Sequence, residues 1–251
     1  MAIKTRKISD WLSANGQAIT NASKATMEDA IRADIGQLYD GVFIMFHRKS
    51  DDFPLAVRVS SCASYQASGE IAEGVLLVEG GRHLVIAPTE ASSAKWSSKP
   101  VSLSDTSGSV QISGVTTTDD RITALNDFAG RANTTAIING STSSNVTNTE
   151  NYAAGFCNKY SRTNANGEGL KAGRWWLPSM SEMAMIWANF DKINYALSKI
   201  SGATQLQADW YWTSTQHSAR NAWSLHLLFG GMDVFWKFNQ NRVRPVSAFL
   251  Y

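Results

Sequence analysis

Residues 211–249 read YWTSTQHSARNAWSLHLLFGGMDVFWKFNQNRVRPVSAF, and this stretch predicts more about the chain than any other. Within it, Trp223, Leu225 and Leu227 recur at every second position, with more varied residues between them. A period of two is typical of a β-strand, whose alternate side chains point to opposite faces. The pattern predicts a strand with one face in the core and one face displayed.

A second extended run follows a flexible turn. Phe229, Gly230 and Gly231 supply the backbone for a hairpin or a short loop, after which the run from Met232 to Trp236 begins. Bulky apolar residues occupy both faces of this run. An exposed cluster of Phe and Leu usually marks a contact site, whereas the alternative is a strand that is buried on both faces. The residues alone leave both interpretations open.

Four short pieces of this stretch follow one another in a specific order. They are Tyr-Trp-Thr-Ser-Thr at 211–215, Ala-Trp at 222–223, Gly-Gly at 230–231 and Val-Arg-Pro-Val-Ser-Ala-Phe at 243–249. This order resembles the variable region of proteins that are diversified by a diversity-generating retroelement, the family of the phage major tropism determinant. The resemblance implies a fixed frame, built from these pieces, around residues that change.

In that family the changing residues descend from a template rich in Asn codons, whose adenines are randomised. The resemblance therefore implies a variable, ligand-binding set comprising His217, Arg220, Asn221, Ser224, His226, Leu228, Phe229, Gly231, Asp233, Val234, Phe235 and Phe238. On this interpretation Asn221, Asn239 and Asn241 are template-like survivors. Trp236 cannot be reached from an Asn codon by changing adenines alone. Either its template codon differs, or Trp236 does not vary.

The preceding sequence has further features of the same domain. Residues 74–88 predict two short strands around a Gly-Gly turn, and residues 152–160 predict an amphipathic helix entered through Asn148 or Thr149. The motif Trp-Leu-Pro-Ser at 176–179 precedes a second helix. Ser179 and Glu182 have the spacing of a capping box, and a buried stripe is expected at Met183, Ile186, Trp187 and Phe190.

The resemblance covers residues 74–251 and implies an α+β, C-type-lectin-like fold, which the formylglycine-generating enzymes share. Mixed and antiparallel strands and two main helices are expected, with the variable region at about 211–249. Residues 1–73 predict a small N-terminal helix-strand module for attachment or oligomerisation, since so short a segment has little core of its own. Its expected elements are a helix from Met27 to Leu38 and strands at 42–46 and 55–59.

Composition limits the function classes. The 251 residues carry a net charge of +2 without a Lys/Arg run, so we expect no nucleic-acid partner. No apolar run has the length of a membrane span, and Asp10 and Ser13 interrupt the segment after the basic N-terminus, so we expect neither membrane insertion nor a secretory signal. Cys62 and Cys157 are expected to be independent, reduced and buried.

The sequence favours no enzymatic site, and we expect no catalytic residues, no metal and no cofactor. The formylglycine-generating enzymes use cysteines in the C-terminal part of the domain, where this chain has none after Cys157. The four histidines show no metal-ligand spacing with cysteines or paired carboxylates. The Glu-Pro-Asn or Gln-Pro-Asp triplet of calcium-dependent sugar-binding lectins is also absent, although Trp and Tyr side chains can stack on a sugar ring.

The resemblance thus implies a receptor-binding protein, a phage or prophage tail-fibre adhesin that determines host tropism. Its implied partners are a protein or carbohydrate receptor on a target cell surface, two further copies in a homotrimer, and a tail protein or chaperone. The expected location is the virion tail fibre, after synthesis in the host cytoplasm, or alternatively the bacterial cell surface. The expected apolar anchors are Phe229, Phe235 and Phe238, and the expected polar contacts are Arg220, His226 and Asp233. The alternatives are a non-diversified structural or surface-adhesion protein of the same fold, and a formylglycine-generating-type enzyme.

Overall fold

The structure of the chain is a computed structural model that describes residues 39–105 and 111–249. Contacts divide the chain into two units, residues 1–39 and residues 40–251. The helix expected from Met27 to Leu38 lies outside the described residues. The second unit combines two five-stranded sheets with helices and is therefore of the α+β class, as predicted.

The first sheet is antiparallel throughout, and its strand order is β12-β4-β3-β1-β2. Its strands are β1 (Gly41–His47), β2 (Pro54–Arg58), β3 (Ala72–Glu79), β4 (Arg82–Ile86) and β12 (Val246–Ser247). The expected strands at 42–46 and 55–59 are present as β1 and β2, and the Gly-Gly turn at residues 80–81 joins β3 to β4. Because β12 pairs with β4, the C-terminal frame closes onto the first predicted hairpin.

The boundary that we predicted between residues 73 and 74 needs correction. It falls inside β3, and β1 pairs with β3 along one edge and with β2 along the other. Because β1 is buried over most of its length, its backbone N–H and C=O groups need hydrogen-bond partners along both edges. Residues 40–73 therefore belong to the same unit as the C-terminal region, not to a separate module.

The second sheet is mixed, with the order β10-β9-β8-β11-β5. Its strands are β5 (Ala91–Lys95), β8 (Trp210–Gln216), β9 (Asn221–His226), β10 (Met232–Trp236) and β11 (Gln240–Val243). β11 pairs with β8 in parallel, and the other pairs are antiparallel. A short two-stranded sheet joins β6 (Arg162–Thr163) to β7 (Gly169–Leu170). The two extended runs predicted on either side of Phe229–Gly231 are present as β9 and β10, although Leu227 lies in the turn and not in β9.

The described residues contain six α-helices, where two main helices were expected. They are α1 (Cys62–Ala67), α2 (Arg121–Leu125), α3 (Gly130–Asn139), α4 (Ala153–Lys159), α5 (Met180–Ala188) and α6 (Phe190–Leu197), with a 3-10 turn at Val59–Ser61. The expected helices at 152–160 and after Ser179 are α4 and α5. α4 begins after Tyr152 rather than at Asn148 or Thr149. α5 has the predicted capping box, in which the Ser179 amide donates to Glu182 Oε2 at 2.8 Å.

Buried side chains form two clusters, which lie on opposite faces of the second sheet at β8 and β9. Tyr211, Trp223 and Leu225 belong to the larger cluster, and Trp212 and Ala222 belong to the smaller one. The centre of β9 is therefore buried on both faces, as in the alternative interpretation of the sequence. Displayed side chains must come from the ends of this hairpin. Cys62 and Cys157 are free and buried, as expected.

Candidate functional site: the β9–β10 hairpin and its neighbours

One face of the hairpin packs into the larger core cluster. Trp223, Leu225 and Leu227 are buried there, and Met232 and Val234 pack against the same cluster from β10. The paired register explains this placement, because Val234 lies opposite Trp223 and Met232 lies opposite Leu225. Val234, which we expected in the displayed set, therefore lies on the core side of the sheet.

The opposite face carries an aromatic surface made by Trp210, His226, Phe229 and Phe235, of which Phe235 also packs against the smaller core cluster. The Trp210 ring is the centre of this group, with centroid distances of 5.1 Å to His226, 6.1 Å to Phe229 and 4.9 Å to Phe235. His226 and Phe229 are stacked, with centroids 4.1 Å apart and planes at 18°. Edge-to-face and stacked pairs favour fixed ring positions, so the aromatic surface is preorganised.

The turn of the hairpin is its most exposed part. Leu228 and Phe229 have exposed fractions of 66% and 61%, although the adjacent Leu227 is buried. Gly230 has a φ of +68°, and a Cβ atom there would lie 2.4 Å from Trp187 Cζ2. Only glycine fits at this position, since both the backbone conformation and the contact with α5 exclude a side chain. Two large apolar side chains are therefore held in solvent by a turn that the frame fixes.

Trp187 lies beside this turn, and its expected burial is corrected. Met183 and Ile186 are fully buried as predicted, but the exposed fraction of Trp187 is 40%. The helix places Trp187 at its C-terminal end, where the hairpin turn covers only part of the indole. Trp187 therefore adds a residue from outside the variable region to the exposed apolar surface.

At the other end of the hairpin, Arg220, Trp236 and Phe238 form a stacked group. The Arg220 guanidinium carbon lies 4.5 Å from the Trp236 ring centroid, and the Trp236 and Phe238 centroids are 6.0 Å apart. Arg220 Nη2 also donates to the backbone carbonyls of Leu103 and Asp105, at 3.0 and 2.7 Å. Part of the Arg220 guanidinium therefore bonds to the protein's own backbone and is not free to contact a ligand.

Lys237 lies next to this stacked group but points inward. Its side chain is buried, its Nζ donates to Gln216 Oε1 and to the carbonyl of Ala219, and it lies 4.5 Å from the Trp96 ring centroid. Burial disfavours the charged ammonium and lowers the pKa of Lys237 to about 7. The hairpin therefore exposes apolar groups and buries a cation, the reverse of the usual arrangement.

The predicted variable residues differ in their exposure. Leu228, Phe229 and Asp233 are exposed; Ser224 is buried; and the half-buried ones are His217, Arg220, Asn221, His226, Gly231, Val234, Phe235 and Phe238. The Ser224 hydroxyl accepts a hydrogen bond from Nδ2 of Asn241, at 3.0 Å. Because Asn241 belongs to β11, this contact covers Ser224. His217 lies apart from the aromatic surface, with its ring 5.3 Å from that of Trp223. Trp236, whose status the sequence left open, is half-buried.

Two residues of the exposed surface were absent from the sequence-based set. Trp210 lies two residues before Trp212 and on the same face of β8, but Trp212 is fully buried, so this spacing alone gave no signal that Trp210 is partly exposed. Trp187 gave no such signal, since its helical spacing with Met183 and Ile186 favours burial. Its exposure depends on where the hairpin turn packs.

Other features of the described residues lie away from the hairpin. An open groove of about 750 Å³ lies along α3, and Phe128, Arg131, Trp176 and Glu182 are among its lining residues. Within the described ranges, no three His, Cys, Asp or Glu side chains are grouped as a metal site would require. No helix in these ranges has the length and apolar character needed to cross a membrane.

Comparison with known proteins gives a distant structural neighbour. No family model matches the sequence, and no curated protein matches it. Among solved structures the chain is similar to a fimbrial protein from Bacteroides ovatus ATCC 8483, with a TM-score of 0.42 and 16% identity over 66% of this chain and 36% of that chain. The chain thus spans about a third of the length of that protein. The function is accordingly inferred from the geometry of the hairpin.

Proposed function

We propose that this chain is a receptor-binding protein and that the β9–β10 hairpin is its binding surface. The observation that carries the proposal is the exposure of Leu228 and Phe229 beside the buried Leu227. Large apolar side chains that a rigid turn holds in solvent are typical of a contact site. The adjacent Trp210, His226 and Phe235 extend this apolar area and supply the aromatic groups that are enriched in interfaces.

We further propose that the surface is diversified by a retroelement on a C-type-lectin-like scaffold. The four frame pieces support this proposal, because the buried Trp212, Trp223 and Arg244 anchor the hairpin while Leu228, Phe229 and Asp233 contribute little to the core. Substitution of exposed side chains typically changes stability by about 0.5 kcal/mol or less. Such positions can therefore change identity while the fold is kept.

A phage or prophage tail fibre is the proposed setting, with the bacterial cell surface as the alternative. A binding surface of this size gains avidity when it is repeated, so a homotrimer is the proposed assembly. The proposed ligand is a protein or carbohydrate on a target cell, since aromatic rings contact both kinds of surface. We propose no catalytic role for the chain.

A binding experiment with matched variants tests the receptor-binding proposal. The variant Leu228→Asn, Phe229→Asn, Asp233→Asn replaces the two exposed apolar side chains of the turn with polar ones and removes the charge of Asp233 on β10. The control variant Ile122→Asn, Tyr195→Asn removes exposed apolar side chains elsewhere. We expect the chain to bind a subset of intact bacterial cells or arrayed glycans, the triple variant to lose about tenfold or more in affinity, and the control to bind as the parent does. Unchanged binding by the triple variant would contradict the proposal.

The diversification proposal has a separate test in the surrounding DNA. We expect a nearby reverse-transcriptase gene and a near-copy of the sequence that encodes residues 211–249, differing from it at template adenines. Binding without such a repeat would identify a non-diversified adhesion protein of the same fold. The template codon for Trp236 would also decide whether that residue varies.

A further inference from the structure

The side chain of Arg220 connects the hairpin to a loop that lies far away in sequence. Arg220 Nη2 donates to the carbonyl of Leu103 at 3.0 Å and to that of Asp105 at 2.7 Å. The guanidinium carbon stacks 4.5 Å from the Trp236 ring centroid. Arg220 Nε is buried and has no hydrogen-bond partner among the described residues. Much of the guanidinium is therefore engaged with the protein rather than presented to a ligand.

The loop that Arg220 contacts, residues 99–105, is closed by its own polar contacts. The Val101 amide donates to Asp105 Oδ2 at 2.9 Å, and Lys99 Nζ lies 3.5 Å from the same oxygen. This closure leaves two apolar side chains in solvent, since Val101 and Leu103 have exposed fractions of 57% and 64%. Arg220 thus contacts both Trp236 and a compact loop that presents two apolar side chains to solvent.

We propose that Arg220 is a positioning residue that holds the loop 99–105 against the hairpin and so adds Val101 and Leu103 to the binding surface. The proposal rests on the proposed function for its meaning in binding. Charge-assisted hydrogen bonds to the carbonyl groups of Leu103 and Asp105 fix both the distance and the orientation of the loop. Changing residue 220 then alters the shape of a surface that lies outside the variable region. Variation at position 220 therefore changes the contact with Trp236 and also the position of Val101 and Leu103.

Hydrogen exchange measured by mass spectrometry on the full chain tests the proposal without a ligand. The variant Arg220→Met keeps an apolar stem that can stack on Trp236 but donates no hydrogen bond. The control variant Asp233→Ala changes an exposed residue at the turn end of β10. We expect amides of residues 99–105 to exchange about tenfold faster or more in Arg220→Met and at the parental rate in Asp233→Ala. Amides of β8 and β9 should keep parental exchange in both variants.

A fluorescence measurement reports the loop position directly. A bimane label on Leu103→Cys is quenched by a nearby indole, and Arg220 bridges Leu103 and Trp236. Cys62 and Cys157 are buried, so the introduced thiol is the one that reacts. We expect emission from the label to rise when Arg220→Met is added, and to rise to the same level in a Trp236→Phe background, with or without Arg220→Met.

Unchanged exchange in Arg220→Met, or faster loop exchange in Asp233→Ala as well, would overturn the proposal. Unchanged emission of the label on addition of Arg220→Met would also overturn it. These measurements use the free protein, so a failure of the loop proposal is distinguishable from a failure of the receptor-binding proposal. The latter would appear only as unchanged binding in the cell and glycan experiment.

Discussion

The guanidinium of Arg244 is fully buried, and its Nη2 lies 2.8 Å from Glu90 Oε2. Arg244 also donates to the carbonyls of Ala87 and Thr204, at 2.9 and 3.0 Å. Glu90 accepts further bonds from Arg242 and from the Tyr211 hydroxyl. This ion pair ties the Val-Arg-Pro-Val segment to the start of β5, and the Tyr211 hydroxyl connects Glu90 to β8, so the frame around the hairpin depends on a desolvated charge.

Removal of Glu90 is therefore expected to destabilise the fold strongly. Glu90→Ala leaves the buried Arg244 charge without its carboxylate, and breaking a buried pair in this way costs about 3–5 kcal/mol. The control is Glu168→Ala, which breaks the exposed pair with Lys171 and should cost about 1 kcal/mol or less. Urea unfolding measures both free energies. If Glu90→Ala loses as little unfolding free energy as Glu168→Ala does, the Glu90–Arg244 pair does not anchor the frame.

The turn at Gly230 is expected to be more sensitive to substitution than an ordinary hairpin turn. Gly230→Ala introduces a left-handed alanine and a contact with Trp187, whereas Gly81→Ala introduces the same kind of backbone strain in open space. We expect a loss of about 1 kcal/mol for Gly81→Ala and about 2–3 kcal/mol for Gly230→Ala.

Adding Trp187→Ala to Gly230→Ala should restore part of this difference, because it removes the clashing indole. A double-mutant cycle of unfolding free energies measures the coupling. Coupling near zero would show that the contact between α5 and the turn is not tight in solution.

The twelve predicted variable positions should divide into tolerant and intolerant ones. Ser224→Leu places a large side chain in a buried site beside Asn241, with an expected cost of about 2–3 kcal/mol. Leu228→Ser changes an exposed side chain and should alter stability by about 0.5 kcal/mol or less. Thermal or urea unfolding of both variants checks this division. If Ser224→Leu is as stable as the parent, position 224 belongs with the displayed set.

Local patterns in the sequence predicted the strands of the hairpin, because alternation depends only on backbone geometry. Trp223, Leu225 and Leu227 are buried, as the alternation indicated. The alternation shows which side chains share a face of a strand, but it does not show which other elements cover that face. Ser224 and Val234 were therefore placed on the displayed side, although β11 covers the first and the larger core cluster receives the second.

The longest described helix, α3, was not predicted, for a related reason. Its sequence, GRANTTAIIN, contains Asn and Thr at positions that a helix usually gives to apolar residues. These side chains are used in tertiary hydrogen bonds: Asn133 Nδ2 donates to Asp127 Oδ2 at 2.9 Å, and the Thr134 hydroxyl accepts from the Leu177 amide at 3.0 Å. The helix is stabilised by contacts that no local pattern reveals.

Two buried ionisable groups should give the stability of the chain an unusual dependence on pH. Burial raises the pKa of Glu182 to about 7, despite hydrogen bonds from the Ser179 amide and the Trp176 indole that favour the carboxylate. The folded state therefore binds a proton more tightly than the unfolded state does. The stabilisation is fully present below the ordinary pKa of about 4.5 and is lost as pH rises through about 7.

Lys237 acts in the opposite direction, because burial lowers its pKa to about 7 from the ordinary 10.5. Between these values the unfolded state binds the extra proton, so stability is lost as pH falls from about 10.5 through about 7. Together the two groups predict a minimum in the free energy of unfolding near pH 7, with a rise on each side that other titrating groups will modify.

Urea unfolding between pH 5 and 9 should show Glu182→Gln flattening the acid side and Lys237→Met flattening the alkaline side, by about 1–3 kcal/mol each. The exposed Lys171→Met serves as the control and should leave the profile unchanged. If Lys237→Met leaves the alkaline side as steep as in the parent, the Lys237 ammonium is solvated, and its contacts with Gln216, Ala219 and Trp96 do not seal it from water.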